Sequence, residues 1–503
     1  MRGLYINCDD NNIPASKHLS QQYSQTYQFC EGDDKGQVIY NPREWLSAPV
    51  QKIEQHTIIV AGWFVYKGQK NNLESLTQDL IQYGTSALVY IEIGSFIIYW
   101  HDGLEAKVLV DPMGLSTHYI DKKSICLRVA PSVKALYNES QHSLNVIMQS
   151  VLKKKNHLFG NFTLYDGILR LSPSAVVSIR EKETIKIIDE ECDVAISDLG
   201  SSLNQVSQYW QKEQRILPLS AGLDSRYILA NASFEYGFTY GPENSPEINI
   251  TGEFANDFSD YYAFDFAEQP LYVQEQEVLD EMSFGVVNPI PRLLTNYLHV
   301  KDKYPQANAY FEGYLGDVFQ RGTFVTFKGA LGELFKLFPF AYRVKKFTAQ
   351  YLLRRRYIEL NKEEFTLLWD DFNDKTQHLA LNDYQKVTYY EFLYGRGGRY
   401  AIFGSNILAA QIFTVISPFT HKTFFSRLIK QDFAEAVSYK TMKKLWQRSA
   451  IKYTKIKVES GYTPKSFGMF IPVTQLLYRL MFHFIPSRAN YGVQMKREND
   501  KQK

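Results

Sequence analysis

The sequence predicts an α/β and α+β protein: a strand-rich N-terminal part, then a parallel sheet, then a helical C-terminal region. Three observations carry this. Up to about residue 190, runs such as Ile53–Tyr66 and Ala87–Trp100 are rich in Ile, Val, Tyr and Phe and are broken by Gly and polar turns, as strands are. Beyond residue 195, short apolar strands alternate with helical stretches, the rhythm of βαβ units and of a parallel sheet covered on both faces. From about 328 to 500 the pattern is mostly helical.

Bulk properties bound the function. The chain has 503 residues, 45% hydrophobic and 22% charged, which is a globular composition. A formal net charge of +2 gives no reason to expect a nucleic-acid partner. The four cysteines, Cys8, Cys30, Cys126 and Cys192, show no CxxC spacing, so no zinc or thioredoxin-like motif is visible, and so few thiols fit a reducing compartment. Met1–Asp9 lacks a signal-peptide apolar core. The longest apolar stretches are Thr57–Tyr66 and Ser86–Trp100, the second interrupted by Glu92 and Gly94, and both fall short of a membrane span. The expectation is a soluble, cytoplasmic protein.

Taken in order, Lys107–Val110 is a strand running into the Asp111-Pro112-Met113-Gly114 turn. Thr117–Ile120 and Ser124–Val129 read as strands, Leu144–Leu152 as a helix and Phe162–Tyr165 as a strand; Ala175–Ile179 pairs with Thr184–Ile188. The acidic, aperiodic stretch Asp189–Asp198 marks a boundary, giving domains over 1–190 and 195–503. Val194–Gln214 is helical. Leu217-Pro218-Leu219-Ser220-Ala221-Gly222-Leu223-Asp224-Ser225-Arg226 is then a strand, a small-residue loop and a helix start. N–H groups left over at a helix start, with the helix dipole, favour a phosphate there. Phe238–Tyr240, Gln269–Gln274 and Ala307–Phe311 are further strands, the last running into Glu312-Gly313-Tyr314-Leu315-Gly316-Asp317. Ligands of such sheets bind beyond the carboxyl ends of the strands, so both loops should reach one crevice.

The chemistry follows from the two loops. A magnesium-bound triphosphate needs backbone donors, hydroxyls and carboxylates. The first loop offers Ser220, Gly222, Asp224 and Ser225; the second offers Gly313, Gly316 and Asp317. No Gly-Lys-Ser/Thr follows a glycine loop, which excludes the Walker A alternative. Further on, Lys336, Arg343, Lys345, Lys346 and Arg354-Arg355-Arg356 are interleaved with Phe335, Phe338, Phe340, Tyr342 and Phe347. These basic aromatic helices read either as a peripheral membrane or acidic-partner contact, or as a solvated face over an aromatic core.

On these residues the chain resembles the asparagine synthetase superfamily. Ser220–Ser225 is similar to that family's Ser-Gly-Gly-Leu-Asp-Ser pyrophosphate loop, and Glu312–Val318 falls where the family has Ser-Gly-Glu-Gly-Ala-Asp-Glu. Pro418-Phe419-Thr420-His421 partly echoes its Pro-Phe-Leu-Asp string, Met1-Arg2-Gly3-Leu4 sits at its Met-Cys-Gly-Ile start, and Asp111–Gly114 at its Asp-x-x-Gly turn. The order of elements covers nearly the whole chain; only the two loops are specific. The resemblance implies an N-terminal Ntn-hydrolase-like, glutaminase-type αββα domain and a C-terminal adenine-nucleotide α-hydrolase-like (PP-loop) domain. It implies a cytoplasmic ATP-dependent ligase that activates a small-molecule or peptide carboxylate as an acyl-adenylate, releases pyrophosphate, and passes the acyl group to an amine as AMP leaves. ATP would lie on Leu219, Ser220, Gly222, Asp224, Ser225, Arg226 and Gly313, and Mg²⁺ on Asp224 and Asp317.

Departures redirect this reading. Arg2 replaces the glutaminase cysteine and cannot form a thioester, so no glutamine hydrolysis is expected. Tyr314 stands where asparagine synthetases have Glu and where β-lactam synthetases have a tyrosine that helps deprotonate the attacking amine; Glu391 is its candidate partner. The resemblance to β-lactam synthetases also implies a late lysine on the acyl-adenylate, for which Lys457 and Lys465 are both in range. Val318, Thr414 and Ile416 replace residues tied to aspartate, leaving Arg226, Arg396 and Arg399 as other anion holders. Ammonia-dependent asparagine synthesis and a non-catalytic nucleotide-binding scaffold or sensor remain as alternatives.

Overall fold

The computed structural model describes residues 1–8, 23–179, 182–185, 188–189, 191–243, 245–265, 273–288, 293–327, 336–338, 340–344 and 347–484. The fold is a mixed α/β architecture with two antiparallel sheets, a five-stranded parallel sheet and C-terminal helices. The apolar runs read from the sequence make the longest strands. His56–Tyr66 pairs antiparallel with Ile91–His101 from Thr57 opposite His101 to Tyr66 opposite Ile91, with one irregularity at Val65/Tyr66. Around them a seven-stranded sheet runs Lys182–Thr184, Ala175–Val177, Ala106–Val110, Ile91–His101, His56–Tyr66, Val50–Ile53, with Gln69–Lys70 beside His56–Tyr66. A six-stranded sheet runs Ile168–Arg170, Tyr119–Asp121, Val129–Ala130, Gly3–Ile6, Asp34–Tyr40, Gln25–Glu31. The two share one apolar core in which Leu4, Ile6 and Val38 of the smaller sheet meet Ile58, Phe64, Ile97 and Tyr99 of the larger.

The parallel sheet positions the site. Its spatial order is Phe258–Phe264, Phe234–Tyr240, Arg215–Pro218, Ala309–Phe311, Thr414–Ile416, and every neighbouring pair is parallel. In chain order this is 3-2-1-4-5. The winding reverses between Arg215–Pro218 and Ala309–Phe311, and a crevice opens where successive connections leave in opposite directions.

Several elements differ from the sequence reading. The third strand is Phe258–Phe264, not Gln269–Gln274; residues 269–272 lie outside the described residues, and Val273 opens the helix Val273–Ser283. Phe258–Phe264 is an edge strand with four of its middle residues polar or tyrosine, which hid it from an apolar search. Thr414–Ile416, three buried residues, was too short to read. Of Ser124–Val129 only Val129 joins a strand, and Phe162–Tyr165 contributes a single bridge, Leu144 to Tyr165.

The basic aromatic helices divide between core and surface, with Phe338 and Phe340 exposed. Tyr342 and Phe347 are buried. Arg354 stacks over Phe365 at 4.8 Å, Arg355 over Phe327 at 5.8 Å, and Arg356 over Phe324 at 4.8 Å. Arg354 and Arg355 are exposed while lying over these rings, and Arg356 is half-buried and paired with Glu391. Phe335, Lys345 and Lys346 lie outside the described residues. Among the described residues no helix is long and apolar enough to cross a membrane.

The sandwich and the parallel sheet are tied together by polar contacts as well as packing. The Trp63 indole N–H donates to the Val415 carbonyl at 3.0 Å, and the Asn41 amide donates to Asn308 Oδ1 and Thr414 Oγ1, both at 3.1 Å.

Candidate active site

The central strand Arg215–Pro218 ends at the reversal point. Leu219, 3% exposed, still donates its N–H to the Phe238 carbonyl at 2.8 Å, so the loop leaves the sheet only at Ser220. The helix Asp224–Asn231 follows, with no side chain capping its N-terminus, so its first N–H groups keep free valence. Inside the loop, Ser220 N–H donates to Ser225 Oγ at 3.0 Å, the two hydroxyl oxygens lie 3.1 Å apart, and Gly222 N–H reaches Ser220 Oγ at 3.3 Å. The Ala221 N–H donates to Glu247 Oε1 at 3.0 Å. The result is a tight turn with two hydroxyls and a helix start facing one space.

The second loop leaves the adjacent strand, Ala309–Phe311, and is pinned by Glu312 N–H donating to the Ile416 carbonyl at 2.8 Å. Leu315 takes a left-handed conformation, φ 53°, to turn the chain into the helix Gly316–Arg321. Its glycines are there because the two loops touch. A Cβ on Gly313 would lie 3.2 Å from Ser225 N, and one on Gly316 would lie 2.7 Å from the Phe419 ring and 3.0 Å from Asp224 Cβ. Gly316→Ala is therefore expected to destabilise the fold by about 1–3 kcal/mol, read from urea unfolding.

This approach brings the two aspartates together. Asp224 accepts from Gln320 Nε2 at 2.8 Å and from the backbone N–H of Asp317. Gln320 is fully buried and is held by the Trp446 indole N–H, 2.9 Å from its Oε1. Asp317 accepts from Thr323 Oγ1 at 2.8 Å and lies 3.6 Å from Arg321. Burial first, and then the negative charge of Asp317, push the Asp224 carboxyl well above its usual range. Two acids forced together beside a helix start suit a divalent cation shared with phosphate oxygens. Among the described residues no group of three or more His, Cys, Asp or Glu could hold a metal by itself.

Beside the loops lies a cavity of 590 Å³. One end is walled by Ser220, Asp224, Ser225 and Gly313, the other by Phe238, Tyr240, Tyr297 and Tyr310, with Glu247 and Glu312 between. The volume and the mix of aromatic walls with few polar groups are those of a small-molecule site. Burial raises the Glu247 carboxyl to about 7 against the opposing Ala221 N–H bond. It also raises Glu312 to about 7, with the negative charge of Asp224 adding to the rise.

The remaining sequence-predicted residues fall elsewhere. Arg226 is fully buried and braces the loop: it donates to the Ala221 carbonyl at 3.1 Å and to the Ile456 carbonyl at 2.7 Å, with its guanidinium 5.0 Å from the Phe254 ring centre. It does not line the cavity. Arg226→Ala is expected to lower stability by about 2 kcal/mol and to weaken nucleotide binding with little effect on a saturated rate, checked by calorimetric titration. Tyr314 is 3% exposed, packs edge-on against Phe392 at 5.6 Å and does not line the cavity; burial pushes its phenol well up and keeps it protonated. Glu391 is fully buried and bonded to Arg356 at 3.1 Å. Burial, the largest single effect, pushes the Glu391 carboxyl up, but Arg356, Tyr357 and His157 together bring it below its usual range. Neither Tyr314 nor Glu391 lines the cavity, and both are buried. Lys457 and Lys465 are both exposed and outside the cavity lining; Lys457 follows Ile456, the residue gripped by Arg226. Arg399 clamps the carbonyls of Gly160 and Phe162 at 2.6 and 2.7 Å, and Arg396 lies over the Tyr400 ring at 5.3 Å.

The chain matches no protein-family model and no curated protein sequence. The site is thus known from its own geometry. Sequence reasoning missed Glu247, Glu312, Gln320 and Trp446. Glu312 carried a signal, an acid at the first position of the second loop, whereas Gln320 and Trp446 gave none because only folding places them behind Asp224.

Proposed function

We infer that the protein is an ATP-dependent, AMP-forming amide ligase of the asparagine synthase-like type, acting without glutamine hydrolysis. The observation that supports it most is the contact of the two glycine loops at the sheet's reversal point, with Asp224 bonded to the Asp317 N–H beside a 590 Å³ cavity. In this reading the N-terminal sandwich corresponds to an Ntn-hydrolase-like domain without its nucleophile and the parallel-sheet part to a PP-loop domain. The N–H groups of the Asp224–Asn231 helix start and the Ser220 and Ser225 hydroxyls hold the phosphates. Asp224 and Asp317 would hold Mg²⁺, which would supply positive charge against that of the phosphates. The aromatic end of the cavity takes the base or the carboxylate to be activated. Glu312, raised to about 7, is poised to take a proton from an attacking amine near neutral pH.

The test is pyrophosphate release from ATP and Mg²⁺ across a panel of amino-acid, peptide and sugar carboxylates. Turnover with one of them, and no glutamate release from glutamine, is expected. ATP binding with no turnover on any carboxylate would sink the ligase reading, and glutamate release at the rate of ATP turnover would sink its glutaminase-free part.

A further inference from the structure

The helix Phe470–Phe484 presents its apolar face outward. Phe470, Val473, Leu477, Leu480 and Met481 recur at three- and four-residue spacing, which puts them on one stripe. That stripe is in solvent: Phe470 is 64% exposed and Leu477 55%. The opposite side is anchored. Ile471 is fully buried, Gln475 Oε1 accepts from the Tyr439 hydroxyl at 2.7 Å, and Tyr478 donates to Glu459. Phe467 and Met469, both more than 60% exposed, extend the stripe into the preceding turn. Lys336, 3.3 Å from the same Tyr439 hydroxyl, brings a second exposed aromatic pair, Phe338 and Phe340, to this side of the molecule. Large apolar side chains left exposed along one helix face of a folded chain mark a docking site.

Charge decides what docks. Between Glu459 and Glu498 the sequence has no Asp or Glu, while Lys465, Arg479, Arg488, Lys496 and Arg497 are all basic. Lys443 lies 5.5 Å over the Phe467 ring, at the edge of the stripe. The nearby acids Asp432 and Glu435 are already paired with Arg343 and Lys444. A second copy would set this cationic segment against itself. An anionic surface would attract it, each basic group adding to the apolar burial. Fifteen residues of helix span about 22 Å, less than the ~30 Å hydrocarbon core, so the helix lies along an interface and does not cross it.

We propose that Phe470–Phe484, with Phe467 and Met469, is an in-plane docking surface for an anionic lipid bilayer. The full-length protein is sedimented with vesicles of phosphatidylcholine alone or with about one third phosphatidylglycerol. Partitioning about tenfold stronger onto the anionic vesicles, weakening as salt is raised, is expected. Leu477→Glu with Leu480→Glu should reduce it by about tenfold or more while the thermal melt of the protein stays unchanged. Should that variant fold poorly, Leu477→Gln with Leu480→Gln carries the same test without adding charge. Equal partitioning of wild type and variant, or none by either, overturns the proposal. So does a concentration-dependent dimer in light scattering that the variant dissociates, which would assign the stripe to a second copy.

Discussion

Asp224→Asn is expected to cut pyrophosphate release by about 10²–10³-fold and at the same time to make the protein more heat-stable. The loss of rate follows from the geometry. Asp224 sits where the helix start, the Ser220 and Ser225 hydroxyls and Asp317 converge, so its charge is what a cation-bound phosphate would use. The gain in stability follows from the same crowding. Asp224 has a higher pKa folded than unfolded, so ionising it works against the fold. The sign is then fixed: wild type and Asn variant are alike below about pH 4, where the acid is protonated in both states. They separate as pH rises through the folded value, with the variant ahead by about 1 kcal/mol near neutrality. The Gln320 amide and the Asp317 N–H can both still donate to the Asn carbonyl, so the fold is kept. Thermal melts from pH 4 to 8 beside a pyrophosphate assay check both halves. A variant that retains full activity, or whose stability advantage is greatest in acid, would refute the carboxylate assignment.

Arg2→Ala is expected to destabilise the protein by about 3 kcal/mol without touching any step at the nucleotide loops. Arg2 is a strut between the sandwich and the parallel-sheet part. Its guanidinium donates to the carbonyls of Ala410 and Phe413 at 2.8 and 3.0 Å, to the Tyr23 carbonyl at 2.8 Å and to Ser24 Oγ at 2.8 Å. Its backbone N–H reaches Gln411 Oε1 at 2.8 Å. Burial lowers its pKa to about 10, which leaves it charged at neutral pH. Removing the side chain strands several carbonyls in a contact that water reaches poorly, and each such group costs free energy. Arg2→Cys should cost about as much and should not create glutaminase activity. Its position holds a residual cavity of only 70 Å³, lined also by Asn41, Glu44 and His118, which is too small for glutamine. Urea midpoints with an unchanged slope, and a glutamate-release assay on Arg2→Cys, are the measurements.

The loops were legible in the chain because their chemistry is local. Ser220–Ser225 and Gly313–Asp317 follow apolar strands within a few residues, and glycine, serine and aspartate at those spacings announce tight polar turns without help from distant parts. The long strands His56–Tyr66 and Ile91–His101 were legible for a similar reason, since eleven-residue runs rich in β-branched and aromatic side chains leave little choice of structure. Roles that depend on what faces a side chain were not legible. Arg226, beside the phosphate loop in sequence, turns away to grip Ala221 and Ile456. Glu391 is bonded to Arg356, thirty-five residues away in the chain, and Tyr314 packs on Phe392.

By itself, then, the sequence determined the strand-rich and parallel-sheet halves and the two glycine loops, because backbone propensity and turn chemistry act over a few residues. Only the tertiary structure decided which strands set the reversal point, that Glu247 and Glu312 share the cavity with Asp224, and that the outward stripe of Phe470–Phe484 is left in solvent. Those outcomes depend on packing and desolvation between residues up to a few hundred positions apart, and such energies are set only when the chain has closed on itself.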